Sequence, residues 1–203
     1  RYLAHQRQMD ALELIPQIAA EYGAVTGRVR DGLVSQYRLE DADLVVVALG
    51  SVLGTVQDTV DVLREVGLRV GVLGITSFRP FPQQAVRQAL QGARSIVVLE
   101  KAFSVGIGGI VTDNIRHSLP GQTVPVRTVV AGLGGRPILI ESLARLLRSA
   151  DDLEELTFLD LRADLVEREI ERTRISRRSG PTAENLLRDI GAVGDPHAVR
   201  MPR

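Results

Sequence analysis

Runs of apolar residues alternate with amphipathic stretches along the first 150 residues of the chain. The most continuous run is Leu44–Leu49, which leads into Gly50-Ser51, with Thr55 placed to cap a helix from about 56 to 66. A run of this length predicts a strand that is buried on both faces of a parallel sheet. Ligands of open α/β sheets usually bind at the turn after such a strand, so Gly50-Ser51 is the first candidate site.

The same strand-then-helix pattern recurs along the chain. It predicts further strands at 69–76, 95–99 and 124–130, and helices at 83–91, 110–119 and 138–147. Repetition of this kind predicts parallel strands joined by right-handed crossovers. Residues 33–39 instead alternate between apolar and polar side chains. They predict an antiparallel edge strand, because the link to the next strand is too short for a crossover helix.

The two ends of the chain differ from this repeating centre. Apolar positions predict a helix over 7–22, which Pro16 is expected to kink or restart. Beyond 150, a roughly helical apolar stripe runs from 153 to 170 among dense charge, and a short helix is predicted at 182–189. We therefore expect a domain over 1–150 and a C-terminal helix and tail over 151–203, lying in solvent or on another subunit.

Composition excludes several functional classes. The 203 residues carry 25 basic and 25 acidic side chains, so no net charge attracts nucleic acid or an anionic membrane. Aromatic residues are only 3% and Trp is absent, which argues against a surface that stacks bases. The sequence contains no signal peptide and no apolar run of membrane-spanning length, which favours a cytoplasmic protein. It does not begin with Met, and we expect a fragment of a longer subunit.

Few residues are candidates for catalysis or metal binding. The absence of Cys excludes disulfides, thiolate nucleophiles and Cys-held metal clusters within this chain. His5, His117 and His197 lie too far apart in sequence to indicate a metal site. Lys101 is the only Lys, so an amine nucleophile would have to be this residue, although a surface position is the simpler interpretation.

Two glycine-rich turns, 104–109 and 131–137, each join a predicted strand to a predicted helix. Neither has the G-x-G-x-x-G spacing of a dinucleotide site, and neither is followed by the Lys and Ser or Thr of a phosphate-binding loop. Close backbone packing is therefore favoured over a bound nucleotide. Their glycines are Gly106, Gly108, Gly109, Gly132, Gly134 and Gly135.

Acid, base and nucleophile candidates lack partners in the sequence. Glu100 ends a predicted strand beside Lys101, with which it could form a simple ion pair, and Asp113 lies in the next helix, but no second carboxylate has a fixed spacing to either. Ser51 and Ser104 do not stand in a nucleophile-elbow sequence. The chain by itself is a poor candidate for a self-contained active site.

Several motifs in this order resemble one family. Gly-Leu-Val-x-x-Tyr-Arg-Leu-Glu-Asp-Ala-Asp at 32–43 leads into Val-Ala-Leu-Gly-Ser at 47–51 and Gly54-Thr55. Phe-Arg-Pro-Phe-Pro follows at 78–82, and the glycine-rich turns follow at 104–109 and 132–136. Over about residues 5–148 the chain resembles the second domain of the α subunit of 2-oxoacid:ferredoxin oxidoreductases, the pyruvate:ferredoxin oxidoreductase type.

The resemblance implies a three-layer α/β/α fold like the transketolase C-terminal domain, with five strands ordered 1-3-2-4-5 and the first antiparallel. It also implies a non-catalytic role in subunit contact within an enzyme that converts a 2-oxo acid to an acyl-CoA. Thiamine diphosphate and Mg²⁺ would bind with a preceding pyrimidine-binding domain and a partner subunit. Iron–sulfur clusters would lie on other domains or chains, CoA would be a co-substrate, and ferredoxin or NAD would accept electrons.

The turns are then expected to be structural and interface sites rather than ligand sites. Two other classes remain open, namely the C-terminal domain of a transketolase or 2-oxoacid dehydrogenase and a free-standing small-molecule binding module at Gly50-Ser51. The interface residues implied are Gly50, Ser51, Arg79, Gly106, Gly108, Gly109, Gly132, Gly134, Gly135 and Arg136.

Overall fold

A computed structural model describes residues 1–28 and 32–175 of the chain. Its strands are β1 (Val34–Tyr37), β2 (Leu44–Leu49), β3 (Val70–Ile75), β4 (Ser95–Glu100), β5 (Val126–Val130) and β6 (Leu156–Phe158). Its α-helices are α1 (Tyr2–Thr26), α2 (Val52–Glu65), α3 (Gln83–Ala89), α4 (Ile110–Ser118), α5 (Ile140–Arg148) and α6 (Ala163–Ile175). Short 3₁₀ turns lie at Leu133–Gly135 and Ala150–Asp152.

The strands form one sheet in the order β1-β3-β2-β4-β5-β6. β1 is antiparallel to β3, and the other neighbouring strands are parallel. The α/β class, the antiparallel first strand and the order of the first five strands are confirmed. The count of five was wrong, because residues that we predicted as part of a helical stripe form a sixth strand beside β5.

β6 forms where the edge of β5 would otherwise leave backbone groups unpaired. The amide of Thr128 donates to the carbonyl of Glu155 at 2.8 Å, and the amide of Leu159 donates to the carbonyl of Val130 at 2.9 Å. Backbone groups at a partly buried edge need such partners, and this need outweighs the helical spacing of the leucines. The stripe becomes helical only in α6.

Helices cover both faces of the sheet, which confirms the three-layer arrangement. Each strand of the centre is buried on both sides, as the uninterrupted apolar runs predicted. One face packs against α2 and α5 through Val56, Val60, Leu63, Leu143 and Leu147. The other packs against α3 and α4 through Val86, Leu90, Val111, Ile115 and Leu119.

Two helices, α2 and α1, differ most from their predicted bounds. α2 begins at Val52 rather than near 56, so Thr55 lies inside the helix and is not its cap. Val52 is buried in the core, and this burial favours an earlier first turn. α1 extends beyond 7–22 at both ends and continues through Pro16. A proline removes one hydrogen bond, but its φ is already helical.

Two compact units are distinguished, residues 1–160 and 161–203, and residues 161–175 of the second are described. Within the second unit, α6 carries the ion pair between Arg168 and Asp164, one helical turn apart. The helix predicted at 182–189 lies outside the described residues. Among the helices of the described part, none is both long and apolar enough to cross a membrane.

Candidate functional site

The predicted turns all follow strands at the carboxyl edge of the sheet. Gly50 adopts a φ of 84°, which favours glycine, and α2 begins two residues later. Ser51 precedes α2 but its side chain makes no capping hydrogen bond. The exposed side chain of Leu49 lies next to this turn. The first candidate site is therefore a tight connection between a strand and a helix, with an apolar side chain beside it.

Arg79 connects the loop after β3 to α4. Its guanidinium lies over the ring of Phe78, with Cζ 4.0 Å from the ring centroid. Nη1 donates to the carbonyl of Phe78 at 2.6 Å and to Oδ1 of Asn114 at 3.2 Å. Arg79 is exposed and, among the described residues, makes no ion pair with a carboxylate. It holds two segments of this edge together and keeps its charge available to a partner.

The loop after β4 is a closed hairpin with an apolar tip. The amide of Ser104 donates to the carbonyl of Gly108 at 2.9 Å, and the amide of Gly108 donates to the carbonyl of Ser104 at 2.8 Å. Gly106 and Gly108 take positive φ values, as such a tight reversal requires. Val105 is 87% exposed and Ile107 is 74% exposed. We call residues 104–108, with these two side chains, the apolar knob.

Glu100 lies beneath this loop and is only 2% exposed. Its Oε1 accepts hydrogen bonds from the backbone amide of Thr112 at 2.7 Å and from Thr112 Oγ1 at 3.1 Å. Thr128 Oγ1 donates to Thr112 Oγ1 at 3.0 Å, so β4, α4 and β5 share one buried polar network. Burial raises the pKa of Glu100, and the hydrogen bonds from Thr112 oppose that rise.

Gly109 makes room for the Glu100 carboxyl group. A Cβ at position 109 would overlap Glu100 Oε1 and would lie 2.7 Å from Thr112 Oγ1 and 2.8 Å from Glu100 Cδ. The predicted close-packing role of this glycine is thus specific for one buried carboxyl group. Glu100 accepts the hydrogen bond of the Thr112 amide in the first turn of α4, which otherwise has no partner within the helix. This internal role leaves Glu100 no exposed face for acid–base chemistry.

At one end of this edge, the loop after β4 contacts β6, and the loop after β5 contacts the loop that follows β6. The rings of Phe103 and Phe158 contact edge to face, with centroids 5.2 Å apart. Nη1 of Arg136 donates to the carbonyl of Asp160 at 2.9 Å. In the second glycine-rich turn, Leu133 is exposed. Its glycines with positive φ are Gly132, Gly134 and Gly135.

The other chemical candidates of the sequence are not brought together. Lys101 is exposed while the adjacent Glu100 is buried, so these neighbours do not form the ion pair that we considered. Nδ1 of His117 lies 2.7 Å from the carbonyl of Asp113, within one turn of α4. Within residues 1–28 and 32–175, no three His, Asp or Glu side chains cluster closely enough to hold a metal ion.

Cavities of the described part open mainly at the opposite edge or beside α1. One of about 350 Å³ lies at the amino ends of β2 and β4, around the ion pairs that Asp43 makes with Arg69 and Arg94. Another, of about 580 Å³, lies between α1 and the loop that contains Arg79. The glycine-rich turns line neither of these cavities.

Comparison with known proteins places these features in a family. The sequence pattern described as pyruvate:ferredoxin oxidoreductase core domain II matches residues 42–143, about half of the chain. Pyruvate synthase subunit PorA of Methanosarcina barkeri is 38% identical over 175 residues, which are 82% of this chain and 44% of that protein. Ketoisovalerate oxidoreductase subunit VorA of Pyrococcus horikoshii is 30% identical over 158 residues, covering 77% of this chain and 39% of that protein.

Two solved structures are similar to this chain at lower sequence identity than the relatives above. A 2-oxoglutarate:ferredoxin oxidoreductase from Magnetococcus marinus aligns with a TM-score of 0.49 and 20% identity, over 63% of this chain and 21% of that chain. A split-gene transketolase, an inactive β4 tetramer, aligns with a TM-score of 0.48 and 18% identity, over 61% of this chain and 42% of that chain.

The chain spans less than half the length of the curated relatives described above. The matched residues 42–143 contain β2 to β5 with the turns after them, including Gly50-Ser51, Arg79, the apolar knob and Arg136. They therefore contain nearly all of the carboxyl edge described above. The chain belongs to the pyruvate:ferredoxin oxidoreductase core domain II family.

Proposed function

We propose that the chain is domain II of the α subunit of a thiamine diphosphate-dependent 2-oxoacid:ferredoxin oxidoreductase. The enzyme would oxidatively decarboxylate a 2-oxo acid, such as pyruvate, to an acyl-CoA. Within it this segment is non-catalytic and holds domains and subunits together. Its family and the names of its relatives, subunits of pyruvate synthase and of ketoisovalerate oxidoreductase, support this assignment.

The non-catalytic role rests above all on Glu100. This buried carboxyl group at the carboxyl edge accepts hydrogen bonds from Thr112 and is covered by Gly109. Active sites instead combine a cavity with polar groups that converge on it. The tip of the loop after β4 faces outwards and is apolar, with Val105 and Ile107 exposed. Such a surface suits contact with protein better than chemistry.

The cofactors of such an enzyme would bind elsewhere. The described residues do not fit Mg²⁺ and thiamine diphosphate, since no metal-holding cluster occurs among them and neither glycine-rich turn has a phosphate-loop sequence. The chain also has no Cys to ligate an iron–sulfur cluster. We assign thiamine diphosphate to a preceding pyrimidine-binding domain with a partner subunit, and the clusters to other domains or chains. CoA is the co-substrate, ferredoxin or NAD accepts electrons, and the location is cytoplasmic.

The turns would form the contacts with the pyrimidine-binding domain and a neighbouring subunit. We also propose a division into a domain over 1–150 and a C-terminal arm over 151–203, whose strand β6 extends the sheet. The contact residues assigned are Gly50, Ser51, Arg79, Gly106, Gly108, Gly109, Gly132, Gly134, Gly135 and Arg136.

Two measurements test the proposal. The complete α subunit, co-expressed with the other subunits of the enzyme, is assayed for CoA-dependent reduction of ferredoxin by pyruvate and by branched 2-oxo acids, with and without thiamine diphosphate. We expect reduction that requires thiamine diphosphate, whereas acyl or ketol transfer without electron release would indicate a dehydrogenase or transketolase instead. Calorimetry of the 203-residue chain with thiamine diphosphate and Mg²⁺ should show no binding, and tight binding would refute the non-catalytic role.

A further inference from the structure

We infer that a groove between α1 and the loop after β3 receives an extended segment of another domain or subunit of the enzyme, and that an Asp or Glu of this segment binds Arg79. The inference rests on the proposed function and narrows it to one surface and one kind of partner. The surface is separate from the glycine-rich turns, which do not line the two cavities that form the groove.

The groove consists of two adjoining cavities along α1. One, of about 580 Å³, lies between α1 and residues 79–84. The other, of about 460 Å³, continues towards Leu33 and Gln88. We call the two cavities together the α1 groove, and their volumes are in the range of binding pockets. The residues that line both cavities are Met9, Leu12, Gln83 and Gln84.

Loose packing of α1 leaves this groove open. α1 is 25 residues long and none of its residues is buried, whereas α2, α3, α4 and α5 each bury at least one. It touches the rest of the domain where Pro16 lies close to Gly32. Helices in proteins gain most of their stability from packing of an apolar face. A segment inserted beside Leu12 would therefore supply packing that α1 lacks.

Arg79 is positioned to bind a carboxylate in the α1 groove. Its Nη1 donates to the carbonyl of Phe78 and to Oδ1 of Asn114, and its guanidinium lies over the ring of Phe78. These contacts hold the side chain but leave Nε and Nη2 without a hydrogen-bond partner among the described residues. An arginine uses such a pair of nitrogens to bind a carboxylate through two parallel hydrogen bonds. His5 of α1 lines the same cavity and offers a further hydrogen bond.

The charges of the groove indicate a segment that carries an acid and, further along, a base. Among the described residues that line the two cavities, Arg79 is the only Arg or Lys and Glu13 is the only Asp or Glu. Each lines a different cavity, and neither forms an ion pair within the described part of the chain. Arg7 and Asp10 of α1 pair with each other and line neither cavity. A partner with a carboxylate at Arg79 and a cation at Glu13 would complement both ends.

The uncharged side chains indicate that the partner is extended polypeptide. Met9, Leu12 and Phe81 provide an apolar wall. Glutamine amides both donate and accept hydrogen bonds, so they can pair with the N–H and C=O groups of an extended backbone. In a two-fold pair of this surface, one concave groove would face another and both would stay unfilled. The glutamines that line the groove are Gln8, Gln83, Gln84 and Gln88.

Photo-crosslinking in the complete enzyme tests this assignment. p-Benzoylphenylalanine is placed at Gln84, which is exposed and lines both cavities. Gln91 is the matched control, since it is also an exposed glutamine but lies beyond the other end of α3 and lines neither cavity. Crosslinked peptides are identified by mass spectrometry. We expect position 84 to join one segment with an Asp or Glu, in another domain or subunit, and position 91 not to join that segment.

Several results would overturn the inference. Crosslinks to the α1 groove of a second α subunit would make the occupant a second copy, and crosslinks to another part of the 203-residue chain would make it a segment of this domain. A crosslinked compound of low mass would make the groove a small-molecule site. A lack of crosslinks, with ready oxidation of Met9 by hydroxyl radicals in the assembled enzyme, would show that nothing covers the groove. If the crosslink forms as expected while thiamine diphosphate-dependent reduction of ferredoxin is absent, the proposed function fails and the contact stands.

Charge reversal gives an independent measurement. In the assembled enzyme, Arg79→Glu should speed hydrogen exchange of the identified segment at least about tenfold, because loss of a paired charge favours opening of the contact. Changing the carboxylate of that segment to Arg should restore slow exchange, since the pair forms again with reversed polarity. Arg145→Glu is the control and should leave this exchange unchanged, because Arg145 is exposed and lines neither cavity.

A variant at the other end of the groove separates charge from folding. Arg79→Glu also removes the hydrogen bonds to Phe78 and Asn114, whereas Glu13→Lys breaks no ion pair among the described residues. Glu13→Lys should also speed exchange of the segment, and more strongly at low salt than at high salt. Unchanged exchange in either variant, or no restoration by the reversed pair, would contradict the inference.

Discussion

Gly109→Ala is the most direct test of the buried network at the carboxyl edge. Gly109 has a φ of −88° and a ψ of 127°, an extended conformation that alanine adopts without strain. The substitution therefore isolates the effect of the added methyl group. That group would overlap Glu100 Oε1 and lie 2.7 Å from Thr112 Oγ1, both on side chains with almost no exposed surface.

The expected loss of stability follows from two opposing effects. Overpacking a well-packed site costs about 1–3 kcal/mol. Replacing glycine lowers the entropy of the unfolded chain, which stabilises by about 0.4–1 kcal/mol where the native backbone suits alanine. We expect a net decrease of about 1–2 kcal/mol in the free energy of unfolding of Gly109→Ala. Gly54→Ala provides the control, because nothing lies within 4 Å of an added Cβ in α2, and it should raise stability by about 0.5–1 kcal/mol.

Urea unfolding followed by far-UV circular dichroism measures both variants, since the chain has no Trp for fluorescence. A double-mutant cycle identifies the partner of the clash. Glu100→Ala alone leaves the buried Thr112 amide without its acceptor, which costs about 1–3 kcal/mol. Combined with Gly109→Ala, it removes most of the overlap. The stability loss of the double variant should therefore be smaller than the sum of the two single losses by about 1 kcal/mol or more. Additive losses, or a Gly109→Ala chain as stable as the wild type, would refute the packing explanation.

Three further outcomes are expected from the same unfolding measurement. Burial raises the folded-state pKa of Glu100 above its ordinary 4.5, so the folded chain binds more protons than the unfolded chain. The free energy of unfolding should therefore fall as pH rises from about 4.5 through that pKa, and Glu100→Gln should flatten this decline. Arg64→Met should lower the free energy of unfolding by about 1–3 kcal/mol, because Arg64 Nε donates to the carbonyl of Val70 at 2.7 Å and the carbonyl would lose that partner. Replacement of an arginine that makes no such hydrogen bond should lower it by less. Gly74→Ala should lower the free energy of unfolding by about 1–3 kcal/mol, since the new Cβ would overlap Ser35 Oγ of β1 and lie 2.9 Å from Leu53 Cδ1 of α2. Unchanged stability would show that β1 and α2 shift freely.

The central strands were predictable because burial on both faces leaves a direct record in the sequence. Leu44–Leu49 was predicted with the bounds that the structure gives, and the alternating pattern at 33–39 indicated the antiparallel β1. β6 left no such record. It has three residues, and Leu156 and Leu159 belong to a leucine spacing that is compatible with a helix. Its formation depends on the open edge of β5, a tertiary feature that local sequence does not contain.

The environment of Glu100 was missed for a different reason. Its sequence neighbour Lys101 favoured an ion pair at the surface, but side chains of a strand alternate between faces. Ile96 and Val98 point into the core that α3 and α4 cover, and Glu100 continues the same register towards Thr112 of α4. A carboxyl group in register with core positions at the end of a strand was therefore the available signal. It indicated that the group needs hydrogen-bond partners from the next helix.

The glycine-rich turn at 104–109 combines two physical requirements that look alike in sequence. Gly106 and Gly108 have positive φ values, so their conformation alone accounts for glycine. Gly109 has an extended backbone that any residue tolerates, so only the space taken by Glu100 accounts for glycine there. A phosphate-binding loop uses its glycines to bring backbone amides close to a ligand. Here the close approach is to a carboxyl group of the chain itself, which binds the amide of Thr112 at the start of α4 as an external anion would.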